Sequence, residues 1–98
     1  MQVYLKIHTQ GDIEVIAVCD NDLIEKELCE ENLKIKVSNH FYGGNLVDID
    51  YAIEILSNCE NFNIIGKNII QKALKCGIIH KSSIRNVNNV PMALKMVL

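Results

Sequence analysis

The feature that most constrains the fold is the spacing of apolar residues, which switches along the chain between a period of two, typical of strands, and a period of about 3.6, typical of helices. Near the start, Val3, Leu5 and Ile7 alternate with residues suited to the opposite face of a strand. Residues 9–12 are typical of a turn, and residues 13–19 form a second apolar run. These segments predict an antiparallel hairpin with a four-residue connection, whose second strand lies centrally in its sheet.

Further strand patterns lie in the middle and at the end of the chain. Residues 33–38 alternate apolar and polar side chains, which predicts a strand with one solvent-facing side. Residues 84–87 and 92–98 predict a closing hairpin across residues 88–89, because paired asparagines tolerate the left-handed conformation.

Helical patterns separate these strands. Asp48 is suited to cap a helix with an apolar stripe, and residues 67–76 predict a second helix that ends at Gly77. Residues 22–28 predict a shorter helix capped by Asp20 or Asn21, while the composition of residues 39–45 is typical of a loop.

The order of these elements favours the α+β class. We expect one domain over residues 1–98, built as a two-layer sandwich in which a mixed or antiparallel sheet of about five strands carries two or three helices on one face. A parallel α/β sandwich is the alternative, because residues 62–65, followed by Gly66 and a helix, resemble a strand-to-helix step.

Composition excludes several classes of protein. The chain is 49% apolar and 22% charged with a mean hydropathy of +0.12, which is incompatible with intrinsic disorder. Its apolar runs are too short to span a bilayer, and its first residues lack the apolar stretch of a signal peptide. We therefore expect a soluble cytoplasmic protein with no membrane partner.

Charge is divided unevenly along the chain. Residues 1–65 hold all 12 acidic residues, whereas residues 66–98 hold none. Such asymmetry favours an anionic partner, nucleic acid above all, although the two parts could also fold against each other and cancel. The candidate nucleic-acid-binding residues in the last third are Lys67, Lys72, Lys75, Lys81, Arg85 and Lys95.

The segment His40–Asn45 has the most unusual local composition. Phe41 and Tyr42 are candidates to stack on a nucleic-acid base, and Gly43 and Gly44 permit close backbone approach and positive φ. The alternative is that the aromatics anchor a surface loop while the glycines turn the chain. The segment lacks the lysine and hydroxyl residue of a phosphate-binding loop.

Other candidate sites are weaker. The helix start at residues 66–68 could hold an anion on its free N–H groups, or it could be solvated by water. The cysteines and histidines lack the spacing of metal ligands, and the serines lack a neighbouring base. We therefore expect the cysteines to pack as small apolar side chains, and we predict no catalytic residues, no metal site and no cofactor.

A series of short motifs runs along the whole chain: Tyr4–His8, Val15–Asp20, Phe41–Gly44, Asn63–Gly66 and Val90–Pro91. In order and spacing this series resembles an archaeal family of about this length, the domain of unknown function 424. The resemblance implies a small cytosolic archaeal protein with a compact two-layer α+β fold, and it brings no assigned activity. Members often carry histidine after the proline, where this chain has Met92, which argues against essential catalysis at that position.

These observations lead to one main functional expectation and two alternatives. We expect a non-catalytic accessory module that binds RNA or a ribosomal protein, with a role in translation or ribosome maturation. The first alternative is a protein-interaction module, in which the acidic body or an exposed edge strand at residues 33–38 engages a partner. The second is a small-molecule binder or enzyme that uses residues 41–45.

Overall fold

The computed structural model describes residues 1–97. The strands in these residues are β1 (Gln2–Gln10), β2 (Ile13–Asp20), β3 (Glu27–Glu30), β4 (Leu33–Lys36), β5 (Asn45–Asp48), β6 (Phe62–Ile65), β7 (Arg85–Val87) and β8 (Val90–Lys95). The α-helices are α1 (Asn39–Tyr42), α2 (Ile49–Ser57) and α3 (Lys67–Lys75), and short 3-10 turns occupy Asn21–Leu23 and Lys81–Ser83.

Six strands form the main sheet in the order β5-β1-β2-β6-β8-β7, and β3 pairs with β4 in a separate two-stranded sheet. Strands β2 and β6 are parallel, and every other neighbouring pair is antiparallel. The α+β class is therefore confirmed, with a mixed sheet that is larger than the five strands we expected. The parallel pair accounts for the strand-to-helix step seen in the sequence, but it is confined to β2 and β6.

Both predicted hairpins form at the ends of the chain. Gln10 pairs with Ile13, so the first hairpin turns through two residues rather than four, with Gly11 at a φ of +61°. The closing hairpin turns at Asn88 and Asn89, whose φ values of +49° and +66° are left-handed as predicted. Its last strand is β8 rather than residues 92–98, and the final residue of that prediction lies outside the described residues.

The two faces of the main sheet are covered by different elements. In β2, Ile16 and Val18 pack in one core with α2 and α3, whereas Ala17 and Cys19 pack in a second core on the opposite face. That second core contains Tyr42 of α1 and side chains of β3 and β4. The helices therefore do not all lie on one face: α2 and α3 share one face, and α1 lies on the other, because a central strand that is apolar on both sides needs cover on both.

The predicted helix over residues 22–28 does not form. A 3-10 turn at Asn21–Leu23 is followed by a left-handed residue, Glu25, with a φ of +65°, and then by β3. Leu28 of β3 is buried and pairs with Ile35 of β4. Pairing with a strand that follows in the chain therefore outweighs the local helical pattern.

The predicted loop at residues 39–45 contains regular structure. The Ser38 hydroxyl accepts a hydrogen bond of 3.1 Å from the Phe41 N–H and so caps α1, and Asn45 begins β5, which pairs with β1. Gly44 connects these elements so closely to β1 that a Cβ atom there would lie 2.2 Å from the carbonyl oxygen of Leu5.

The two longer helices follow the sequence prediction. The Asp48 carboxylate accepts a hydrogen bond of 3.1 Å from the Asp50 N–H and so caps α2. Helix α3 ends at Lys75, and Gly77 takes a φ of +75° just after it. Their apolar stripes pack on the same core, so local pattern and tertiary packing agree in these helices.

We predict that Gly44→Ala lowers the free energy of unfolding by about 2–3 kcal/mol, because the new methyl group meets strand backbone that has no space to move. Gly11→Ala is the matched control, since no atom lies within 4 Å of its Cβ position and only the positive φ is strained, at about 1 kcal/mol. Urea unfolding of both variants checks the order. Equal losses would contradict the close approach of Gly44 to β1.

Candidate functional site

The first turn of α3 holds a buried carboxylate. Asp20, at the end of β2, is 3% exposed, and its two oxygens accept hydrogen bonds from the N–H groups of Asn68 at 2.8 Å and Ile69 at 3.0 Å. The helix start that we considered for an external anion or for water is therefore occupied by a side chain of the protein. A carboxylate suits this position because the N–H groups and the helix dipole both favour negative charge.

Gly66 provides the space for this carboxylate. Its φ is +128°, and a Cβ atom built there would lie 2.3 Å from Cγ of Asp20. Because Gly66 has no side chain with which to cap α3, Asp20 serves as the cap from a different strand. Sequence reasoning placed Asp20 only as a cap for residues 22–28, and it missed this contact because no local pattern connects Asp20 to α3.

Burial has the largest effect on the pKa of Asp20 and on that of the neighbouring Cys19. Loss of solvent raises the pKa of Asp20 above its ordinary value, and the bonds from Asn68 and Ile69 act in the opposite direction. Burial, together with the charges of Asp20 and Asp22, raises the pKa of Cys19 to about 12. Cys19 is therefore a protonated thiol at neutral pH, which makes it a poor nucleophile.

Helix α1 is fastened to β1 through its carbonyl groups. Lys6 Nζ donates a hydrogen bond of 2.6 Å to the His40 oxygen, and His8 Nε2 lies 2.7 Å from the Phe41 oxygen. The His8 ring also stacks on the Phe41 ring, with centroids 4.6 Å apart and planes 17° apart. One face of Phe41 is thus covered by His8, a partner that sequence reasoning did not identify.

Tyr42 belongs to the second core rather than to a binding surface. It is 5% exposed, and its hydroxyl donates a hydrogen bond of 2.7 Å to Oδ1 of Asn63. Burial raises the pKa of Tyr42 to about 12. The prediction that Tyr42 stacks on a base is therefore wrong, because its ring has no open face.

The two glycines after Tyr42 serve close packing rather than ligand binding. A Cβ atom on Gly43 would lie 1.9 Å from Oδ1 of Asn39, and Gly44 lies against β1. The φ of Gly43 is −82°, so the expected positive φ is not needed there. Residues 41–45 line none of five surface hollows of 230–490 Å³ on residues 1–97.

The structure does not bring all six basic candidates together. Arg85 lines a hollow with Glu30 and Glu31, on the sheet face where Val87, two residues along β7, is buried in the second core. Lys95 instead lines a hollow beside the end of α3, on the other face of the sheet. Arg85 is therefore separated by the sheet from Lys95 and from the lysines of α3, and it lies beside carboxylates of the acidic part of the chain.

Helix α3 carries three of the lysines on its exposed side. Lys72 Nζ lies 3.1 Å from Oδ1 of Asp50 on α2, and this hydrogen bond and charge raise the pKa of Lys72. No carboxylate oxygen of residues 1–97 lies within 4.0 Å of the ammonium groups of the other four candidate lysines. A hollow of about 310 Å³ on this side of α3 is lined by Met1, Ile49, Asn68, Gln71, Lys72 and Lys75.

Two further properties concern metals and membranes. Within residues 1–97, no group of three or more His, Cys, Asp or Glu residues is placed to hold a metal ion. No helix in this part of the chain is long and apolar enough to cross a membrane.

Comparison with known proteins identifies a family and a related structure. A family model described as "Protein of unknown function (DUF424)" matches residues 7–98. The chain is similar to the crystal structure of an uncharacterized conserved protein from Methanopyrus kandleri, with 27% identity and a TM-score of 0.81 over 96% of this chain and 90% of that one. No curated protein matches the chain. These descriptions name no activity.

We predict that the stabilising effect of Asp20 depends on pH. Because the folded-state pKa is raised, the folded protein binds a proton in the interval between the ordinary value of 3.8 and the raised value, where the unfolded chain does not. The pH-dependent part of the contribution of Asp20 is therefore largest below this interval and is lost as the pH rises through it, whereas the two hydrogen bonds to the carboxylate remain. Urea unfolding of wild type and Asp20→Asn between acid and neutral pH measures this contribution as a difference. A stability advantage of wild type that shrinks as the pH falls would contradict the prediction.

Proposed function

The chain belongs to the DUF424 family, and we propose that it is a cytoplasmic, non-catalytic module that binds RNA or a ribonucleoprotein through the exposed side of α3, in translation or ribosome maturation. The observation that carries this proposal is the composition of α3. The helix has lysines and amides on its exposed side and contains no acidic residue, whereas residues 1–65 hold all 12 acids of the chain.

The proposed contacts are to the phosphate backbone. An α-helix rises about 1.5 Å per residue, so Lys67 and Lys75 lie about 12 Å apart along the axis of α3. The side-chain amides of Asn68 and Gln71 lie between them along the helix and are suited to donate hydrogen bonds to phosphate or sugar oxygens. Such contacts carry little sequence information, so we expect binding that depends on salt more than on base sequence.

The remaining candidates lie in different places. Lys95 is exposed beside the end of α3 and extends the cationic surface there, and Lys81 is exposed in the 3-10 turn that precedes β7. Arg85 and Phe41 lie on the opposite side of the sheet, so they are outside the proposed surface. Lys72 is partly neutralised by Asp50, and we assign it the role of holding α3 beside α2.

We predict that a fluorescent single-stranded RNA binds the protein with an affinity that falls roughly tenfold between 50 and 200 mM KCl, because displaced counterions drive the association. The double variant Lys67→Gln/Lys75→Gln should weaken binding at low salt and reduce the slope of log K against log salt by about 1. Fluorescence anisotropy titrations measure both quantities.

The matched control is Lys34→Gln/Lys36→Gln, which removes the same charge from β4. These lysines lie 3.5 Å from Glu27 and 3.7 Å from Glu25, so they are paired across the small hairpin. The control should bind RNA as tightly as wild type. If the protein does not bind RNA at 50 mM KCl, or if both double variants lose affinity equally, then α3 is not the RNA-binding surface.

A further inference from the structure

The hairpin of β1 and β2 extends beyond the rest of the sheet. Strand β5 pairs only with Gln2–Leu5, so Lys6–Gln10 pair with β2 on one side and with no strand of the described residues on the other. The opposite edge of the hairpin is closed, since the Asn61 side chain donates a hydrogen bond of 3.1 Å to the Glu14 oxygen. Gly44 packs against the backbone of Leu5 and Lys6, so the outer edge of β1 offers backbone groups to a further strand at Ile7–Gln10.

An apolar groove lies beside this open edge. Ile7 on β1 and Tyr51 on α2 are 49% and 52% exposed, which is unusual for large apolar side chains that face each other across a hollow. The hollow has a volume of about 330 Å³, and the buried Ile16 and half-buried Ile55 also line it.

The charged residues of this groove have one sign. Glu14 of β2 and Glu54 of α2 line the hollow, and no lysine or arginine does. Both carboxylates are exposed, and neither lies within 4.0 Å of a basic group of residues 1–97. A hollow lined by apolar side chains and by carboxylates without a basic partner complements a segment that carries both apolar and basic side chains.

We propose that this edge groove binds an extended, basic segment of a partner protein, which adds a strand to Ile7–Gln10 of β1. Alternate side chains of a strand share a face, so an apolar residue of the segment packs on Ile7 and Tyr51. A lysine or arginine two residues away on the same face then approaches Glu14 or Glu54. Backbone pairing supplies affinity, and the groove selects for an apolar and a basic residue two positions apart, on the same face of the segment.

Charge complementarity decides between this occupant and others. A second copy of the chain paired along the same edge would bring a second set of carboxylates to the groove, where like charges repel. RNA phosphates are repelled by the same carboxylates. The groove is therefore distinct from the surface proposed on α3, and each proposal can fail without the other.

The test uses a fluorescent nine-residue peptide whose odd positions alternate between valine and lysine and whose even positions are threonine, so that valine and lysine share one face of the strand. The peptide is titrated with the full chain by anisotropy. We expect saturable binding, and Ile7→Thr should weaken it about tenfold because the apolar contact is lost. Ile13→Thr is the matched control: Ile13 is 59% exposed on the same hairpin but on the other face, so this variant should bind like wild type.

Two further comparisons separate groove binding from general attraction to an acidic protein. Glu54→Gln should weaken binding several-fold, whereas Glu31→Gln, an equal charge change on the β3–β4 turn, should not. A peptide with alternate backbone nitrogens methylated, and one with glutamate in place of lysine, should each bind at least about tenfold more weakly. Circular dichroism of each variant verifies that the fold is retained.

Defined results would overturn the proposal. These are an absence of binding by the valine–lysine peptide, equal affinity for Ile7→Thr and wild type, or equal affinity for the methylated and unmethylated peptides. A dimer in sedimentation equilibrium that Ile7→Thr dissociates would assign the edge to a second copy instead.

Discussion

The hydrogen bonds from the first turn of α3 to the buried carboxylate of Asp20 connect the last third of the chain to the first hairpin. Asp20 ends β2, and the helix follows β6, the strand that lies parallel to β2. Gly66 has the conformation and the missing side chain that this contact needs. The cap satisfies helix N–H groups that Gly66 leaves without a side-chain acceptor, and it thereby fixes where α3 starts over the sheet.

This constraint also determines which surfaces the protein offers. Since Asp20 fills the start of α3, the helix presents its lysines and amides along its side rather than an anion site at its end. The charged residues of α2, Asp50 and Glu54, are both acidic, and the Asp50–Lys72 contact lies at the border between the two helices. The helix-covered side of the sheet is thus cationic on α3 and acidic toward the open edge of β1, which is the basis of the two binding surfaces we propose.

The sequence predicted the elements whose cause is local. Alternation and turn chemistry specified both terminal hairpins, and capping and apolar spacing specified α2 and α3. Elements that depend on pairing with another strand were missed. Strand β3 forms because it pairs with β4, which follows it, and β5 forms because it pairs with β1.

The site was harder to predict than the fold. The sequence placed the lysines of α3 correctly on its exposed side, but it could not show that Arg85 lies across the sheet beside Glu30 and Glu31. The hydroxyl of the buried Tyr42 bonds Asn63 in β6, and α3 is capped by Asp20 in β2. Both contacts join residues that are far apart in the sequence, so no local pattern contains either of them.

Amide hydrogen exchange at the start of α3 tests the central role of Asp20 most directly. In wild type, the amides of Asn68 and Ile69 should be protected by the carboxylate, and Asp20→Ala should raise their exchange rates at least about tenfold. The amide of Ile70 donates to the Gly66 oxygen within the helix and should remain protected. Unchanged exchange at Asn68 and Ile69 in the variant would contradict the account.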